Sequence, residues 1–165
     1  MVALEVLVVL ADVPEDLEEE GSDVKKDFSE TKLFFNPDFS VIDAAIVRDP
    51  EMKDLIMVVK NENSLPAEKN LRVTRVARIE DGFPVEVSPS ITGDYWCEGP
   101  APLFVGDDLY VYFDKYRNHK YGAVRSRDHG KTWEDISDQV SFPKGTRHGT
   151  AFPVDKAVLR KLLHE

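Results

Sequence analysis

The sequence predicts an all-β fold that ends in one short helix. Short apolar segments recur along the 165 residues with turn residues between them, a pattern typical of a sandwich, a barrel or a propeller. A Ser-x-Asp-x-Gly-x-Thr-Trp segment at residues 126–133 predicts a tight turn that closes a hairpin. Apolar residues at helical spacing occur at the C-terminal end. A chain of this length predicts a single domain over residues 1–165.

The elements can be assigned in order along the chain. Residues 2–11 are apolar and β-branched, which predicts a strand buried on both faces. The acidic run at residues 14–20 predicts a solvated loop. Further strands are predicted at apolar segments bounded by turn residues: 34–35, 39–47, 55–59, 71–79, 103–105, 109–113 and 121–126. Asp155 is expected to cap a helix from about Lys156 to Leu163.

Composition and charge exclude several classes of function. The formal net charge of -10 argues against nucleic acid or an anionic membrane as partner, because such surfaces need clustered Lys and Arg. Cys97 is the single cysteine, which leaves no intramolecular disulfide and no cysteine-based zinc site. Residues 1–10 are apolar but contain Glu5, lack a basic start, and are shorter than the roughly 20 residues of a membrane span. We therefore expect a cytoplasmic protein.

The segment at residues 126–133 matches the Asp-box pattern at every defined position. The Asp128 side chain is expected to accept backbone N–H groups across the turn, while Gly130 permits a positive φ and Trp133 packs beneath. Asp boxes occur in sialidases and other propellers, far from the active site. We therefore interpret Asp128 as a structural residue.

Glu98 is the candidate acid of the chain. It lies in the segment Trp-Cys-Glu-Gly-Pro at residues 96–100, where Trp96 and a rigid Gly-Pro turn create a partly apolar environment. Such an environment raises the pKa of a carboxyl group, so that near neutral pH it can still donate a proton to a leaving-group oxygen. The alternative is a surface turn glutamate without a chemical role.

Asp43 and His148 are further candidates, each with a structural alternative. Asp43 interrupts the apolar segment Val-Ile-Asp-Ala-Ala-Ile, and a carboxylate there is costly unless it is paired or hydrogen-bonded. The alternative is an Asp at a strand end that bonds nearby backbone. His148 lies in Thr-Arg-His-Gly-Thr, and a lone histidine is more often a core residue than a ligand. Asp49, in Arg-Asp-Pro, is assigned to a β-turn and rejected as an acid motif.

In order and spacing these segments resemble glycoside hydrolase family 43, the five-bladed β-propeller arabinofuranosidases, xylosidases and arabinanases. The resemblance covers residues 33–47, 96–116 and 121–150. It implies a partial β-propeller of about three blades, the C-terminal three-fifths of the family's fold. By position Glu98 resembles the general acid, and Asp43 resembles the residue that orients this acid and tunes its pKa.

The resemblance also implies a substrate and a set of residues around it. The substrate would be a glycan that contains arabinose or xylose. Four residues would bind it: Lys60, Glu62, Trp96 and Arg147. Asn61 replaces the middle acid of a Lys-Asp-Glu stretch that lines the family's cleft. His148 resembles the axial histidine that contacts a central water or calcium ion in many members, and no cofactor is required.

The resemblance leaves the general base unassigned. The family inverts the sugar and uses an Asp of its first blade as base, and that blade would precede residue 1. Inversion needs an acid and a base about 6.5–9.5 Å apart. We therefore expect weak or absent glycosidase activity in the isolated chain. We also expect a homodimer that completes the propeller, because open blade faces and strand edges drive pairing. A second copy could bring Asp49, Asp107 or Asp114 to the site.

Two other interpretations stay open. The chain could be a non-catalytic carbohydrate-binding or structural relative that retains Glu98 and Asp43. It could also be part of an unrelated sialidase-like propeller, for which several Asp boxes are expected, whereas the sequence contains one.

Overall fold

A computed structural model of the chain describes residues 6–8 and 32–162. The strands are β1 (Val6–Val8), β2 (Lys32–Phe35), β3 (Val41–Arg48), β4 (Leu55–Asn61), β5 (Leu71–Val76), β6 (Glu98–Val105), β7 (Asp108–Lys115), β8 (Lys120–Ser126) and β9 (Glu134–Asp135). Helix α1 spans Lys156–Leu162, and three short 3-10 helices span Ile79–Asp81, Tyr116–Asn118 and Ser137–Gln139. Across the described ranges, no helix is both long and apolar enough to cross a membrane.

All strand pairs are antiparallel and join strands that follow each other in the sequence. They form a two-stranded pair, β1-β2, and two larger sheets, β3-β4-β5 and β6-β7-β8-β9. Short turns allow this order, as at Gly106, whose φ of +61° suits the tight connection between β6 and β7. The predicted all-β fold, a partial propeller with a short terminal helix, is confirmed.

Several predicted boundaries differ from the structure. The predicted strand 71–79 ends at Val76, and a 3-10 helix begins at Ile79. Strand β6 begins at Glu98 instead of Leu103, because a bulge lets the Gly99-Pro100 pair remain within the ladder. Of the predicted strand 2–11 only residues 6–8 are described, and the predicted acidic loop lies outside the described residues.

The two larger sheets contain the same irregularity at the start of their first strands. The β3–β4 register shifts between Ile42 and Ala45, and the β6–β7 register shifts between Glu98 and Ala101. Each bulge contains one residue with positive φ, Asp43 at +52° and Gly99 at +59°. Strands β3 and β6 also lie next to each other. Their bulges can therefore meet, and this contact positions the candidate site.

Strand β4 is buried along its whole length because both of its faces are covered. Ile56 and Val58 point to a cluster shared with β5, β7 and β8. Leu55, Met57 and Val59 point to a second cluster on the opposite side. The alternation follows the two-residue period of a strand. The first cluster holds the two larger sheets together, so the relative position of β3 and β6 depends on this core.

Candidate functional site

Asp43 connects the two bulges. Its Oδ2 atom accepts a hydrogen bond from the backbone N–H of Gly99 at 2.9 Å, over a separation of 56 residues. Its φ of +52° is in the left-handed region, which Asp enters more readily than most residues. Asp43 therefore bonds backbone, as the structural alternative expected, but the partner belongs to the other sheet and not to neighbouring residues of β3.

Glu98 is the first residue of β6, immediately before the Gly99 that Asp43 holds. The side chain is 23% exposed, and its Oε1 lies 3.0 Å from Nε2 of His148. A Cβ atom at position 99 would lie 2.9 Å from the His148 ring. Glycine is therefore favoured at this position for two reasons. It adopts the left-handed φ without strain, and it leaves room for the imidazole beside Glu98.

Asp43, Glu98 and His148 converge on one point. One ligand atom from each lies within 4.8 Å of the other two, close enough for the three groups to hold a metal ion. An open cleft of about 360 Å³ adjoins them. Its lining residues are Asp43, Ala44, Gly99, Pro100, His148, Gly149 and Thr150. The cluster can thus meet a ligand from solvent, and it can share a proton between an acid and an imidazole.

Lys60 is fully buried, and its three ammonium hydrogens have acceptors within the chain. Its Nζ lies 3.0 Å from an oxygen of Glu62 and donates to the backbone oxygens of Glu68, at 3.0 Å, and Asn61. An ammonium group has three donors, so these contacts account for all of them. Glu62 remains 44% exposed on the side chain. The structure therefore places Lys60 beneath the surface, where it holds Glu62.

Trp96 lies beside the cluster in a group of aromatic and cationic side chains. The guanidinium carbon of Arg117 is 3.8 Å from the centre of the indole ring, a cation–π arrangement. The Tyr116 ring meets the same indole edge-on, with 6.3 Å between centroids. Burial raises the pKa of Tyr116; the charge of Arg117 opposes this effect, and the charges of Glu98 and Glu62 add to it.

Arg147 and His148 are both tied to β6 and β7. The Nε atom of Arg147 donates to Oδ2 of Asp114 at 2.5 Å, and its side chain remains 54% exposed. Asp114 is fully buried and is the cross-strand partner of Glu98 in the β6–β7 register. The hydrogen bond and the charge of Asp114 raise the pKa of Arg147, and the charge of Glu98 adds to this effect.

Within one chain, neither Asp114 nor Tyr116 was predicted at this site; Asp114 was expected only as a carboxylate that a second copy could bring. The available signal was an Asp directly after the apolar alternation of residues 109–113, where the strand would otherwise continue with an apolar residue. Its pairing with Glu98 depends on the bulge at Gly99, which a single sequence does not reveal. Of the predicted site residues, Asp43, Glu98 and His148 are brought together, and Arg147 is paired with Asp114. Lys60 and Glu62 pair with each other, and Trp96 contacts Arg117.

Comparison with known families identifies the family of the chain. A family model described as a "probable glycosyl hydrolase domain", related to glycoside hydrolase family 43, matches residues 17–159. The match covers most of the chain and includes the bulges of both β3 and β6. No curated protein matches the chain closely enough to count as a relative. The chain belongs to this family of glycosyl hydrolase domains related to glycoside hydrolase family 43.

Proposed function

We propose that Glu98 is the general acid of a glycosidase site that acts on a glycan containing arabinose or xylose. The observation that carries the proposal is the convergence of Asp43, Glu98 and His148 within 4.8 Å beside an open cleft. Glu98 is partly shielded and still reachable, as a proton donor to a bound sugar must be. Membership in a glycosyl hydrolase family supports the same reaction class.

The proposed chemistry begins with a proton on Glu98. This proton moves to the glycosidic oxygen as the bond from that oxygen to the anomeric carbon breaks. A water molecule adds to the anomeric carbon and loses its own proton to a general base. His148, 3.0 Å from Glu98, is placed to fix the orientation of the acid during this step. Arg147 presents an exposed guanidinium at the same edge for hydroxyl groups of the sugar.

Asp43 is too close to Glu98 to act as that base. One oxygen of each carboxyl group lies within 4.8 Å of the other, which is short against the separation of about 6.5–9.5 Å in an inverting pair. Asp43 is also committed to the backbone N–H of Gly99. We therefore assign Asp43 to the orientation of Glu98, and we place the general base outside this pair.

A homodimer is one source of the base. Of the three carboxylates that a second copy could present, Asp49 and Asp114 are fully buried, which leaves Asp107 in the exposed turn between β6 and β7. Light scattering coupled to size exclusion tests this part of the proposal. A dimer at micromolar concentration supports it, and a monomer would require the base to come from another source.

The second candidate is a carbohydrate-binding protein without turnover. It is favoured by the same short distance between Asp43 and Glu98, because this pair alone cannot complete hydrolysis. A central calcium ion is not part of either proposal. Calcium takes six to eight oxygen ligands, whereas the cluster offers two carboxylates and an imidazole already in contact with Glu98.

The experiment is an activity screen with nitrophenyl arabinofuranosides and xylosides. Wild-type chain, Glu98→Gln and the exposed control Glu86→Gln are compared at equal concentration and equal folded fraction. We expect weak turnover in wild type and Glu86→Gln, because the general base lies outside the Asp43 and Glu98 pair, and a loss of about 10²-fold or more in Glu98→Gln. Sugar binding without turnover in all three proteins would favour the binding function. Equal turnover in wild type and Glu98→Gln would reject Glu98 as the acid.

A further inference from the structure

We propose that Asp114 is a positioning residue that holds His148 against Glu98. The inference rests on the proposed function, because it concerns the alignment of the same acid. Asp114 cannot touch a substrate, since its side chain is fully buried. Its influence on the site must therefore pass through the side chains that it contacts.

Asp114 is tied to both halves of the site. In the strand register it is the partner of Glu98, so the two residues face each other across β6 and β7. Its Oδ2 accepts the Nε hydrogen of Arg147 at 2.5 Å and lies 4.0 Å from Nε2 of His148. The same imidazole nitrogen lies 3.0 Å from Oε1 of Glu98. Two carboxylates from neighbouring strands thus face one ring nitrogen.

The segment that carries Arg147 and His148 is anchored at its start, where the Phe142 ring packs edge-on against Tyr121 and Tyr112, and near its middle by the Arg147–Asp114 ion pair. Between Val140 and Asp155 it lies outside any strand or helix, and Arg147 and His148 are both about half exposed. Ordering such a segment costs conformational entropy, which its contacts must offset. The ion pair between Arg147 and a fully buried carboxylate is a strong contact of this kind, because the hydrogen bond is charge-assisted.

In an acid with a purely structural role, both carboxylate oxygens are expected to accept hydrogen bonds. In Asp114 only one of them does. Its Oδ1 is buried and has no hydrogen-bond partner among the described residues. A buried, unpartnered acceptor is costly, of order 1–3 kcal/mol. Leu at this position would avoid that cost but could not form the ion pair. We therefore infer that a carboxylate is needed at this position because it holds the segment of Arg147 and His148 beside Glu98.

The test is a nitrogen-15 NMR spectrum of the histidine imidazoles in the full chain. Glu98→Gln defines the shift of the His148 resonance when its carboxylate partner is lost. We expect Asp114→Asn to move that resonance in the same direction by at least half as much. His129 serves as an internal control, because its ring is held by Asp49 and Glu51 at a different place. Its resonance should remain unchanged.

Two further variants complete the design. Asp108→Asn is the matched control on the same strand. The Asp108 side chain is partly exposed, and its ion pair with Arg127 is long, at 3.9 Å. This control should leave His148 unmoved. Arg147→Gln removes the same ion pair as Asp114→Asn by changing its exposed partner. This variant should reproduce the His148 shift even if Asp114→Asn does not fold. An unmoved His148 in folded Asp114→Asn, or in Arg147→Gln, would overturn the proposal. The readout needs no turnover, so a chain that binds sugar without hydrolysing it, which would favour the binding function, leaves this test intact.

Discussion

The carboxylate of Asp43 and the backbone N–H of Gly99 are 2.9 Å apart, which joins the first strands of two sheets at their bulges. Both residues have a positive φ, so each bulge depends on a residue that tolerates the left-handed region. Glu98 immediately precedes Gly99. The orientation of the candidate acid is therefore set by a contact between two sheets and not by β6 alone.

Substitution of Asp43 separates the hydrogen bond from the backbone conformation. Asp43→Ala removes the bond and places Ala in the left-handed region, whereas Asp43→Gly removes the bond alone. We expect Asp43→Ala to be less stable than Asp43→Gly by about 1 kcal/mol, because Gly lacks the steric cost of a Cβ at this φ. Urea unfolding of the two variants measures the difference. Greater stability of the Ala variant would contradict the left-handed conformation.

Gly99→Ala should disturb both stability and the His148 contact. The new Cβ would meet the His148 ring at 2.9 Å, at a φ of +59°. Gly106→Ala is a matched control, because its φ is +61° and nothing lies within 4 Å of a Cβ there. We expect a loss of about 1–2 kcal/mol in the control from backbone strain and a larger loss in Gly99→Ala. Equal losses in urea unfolding would mean that His148 does not pack on Gly99.

The sequence predicted those parts of the fold that depend on local pattern. Apolar segments bounded by turn residues predicted the strands of both larger sheets except β9, because this signal lies within a few residues. The start of β6 was missed, since a Gly-Pro pair suggests a turn and only cross-strand pairing reveals a bulge. The register that places Asp114 opposite Glu98 depends on that bulge.

In the site, too, the residues with a local signal were predicted, whereas contacts between distant residues were not. Asp43 and Glu98 were recognisable because a carboxylate in an apolar segment needs a partner. The partner itself, the N–H of Gly99 in another sheet, was not, since contact over 56 residues follows from packing. Asp49 was assigned to a turn, and its backbone does close one with Lys53 and Asp54. Its burial was not predicted, because that burial comes from the neighbouring sheet.

Asp128 should make stability depend on acid pH. Hydrogen bonds from Thr132, through its hydroxyl and its N–H, lower the pKa of Asp128 from 3.8 to about 2 against the opposing effect of burial, with Ser126 and Lys131 contributing further. A carboxyl with a lowered folded pKa stabilises the fold above its unfolded pKa, and loses this contribution as pH falls through the folded value.

Asp128→Asn therefore tests the turn at residues 126–133. Near pH 7 we expect the variant to be less stable by about 1–2 kcal/mol, because hydrogen bonds to a charged acceptor are lost. The difference from wild type should shrink between pH 4 and pH 2, the window set by the two pKa values. Urea unfolding at several pH values gives the comparison. A difference that does not vary with pH would contradict the charged state of Asp128.

Asp49 should be the most sensitive carboxylate outside the candidate site. It is fully buried and accepts the N–H groups of Glu51 and Met52, each at 3.0 Å. Its Oδ2 also lies 3.2 Å from Arg75 and 3.0 Å from His129, which belongs to the turn at residues 126–133. Burial alone would raise the pKa of Asp49, but these hydrogen bonds outweigh it and lower the pKa.

Asp49→Asn should therefore loosen the contact between the two larger sheets. We expect a loss of about 2–3 kcal/mol in urea unfolding, below the 3–5 kcal/mol of a fully buried ion pair because Arg75 is 28% exposed on the side chain. Asp54→Asn is the matched control, since Asp54 contacts the same Arg75 at 2.5 Å but is more exposed and does not contact His129. Its loss should stay below about 1 kcal/mol. If the two variants lose equal stability, Arg75 alone accounts for the effect, and the Asp49–His129 contact does not hold the sheets together.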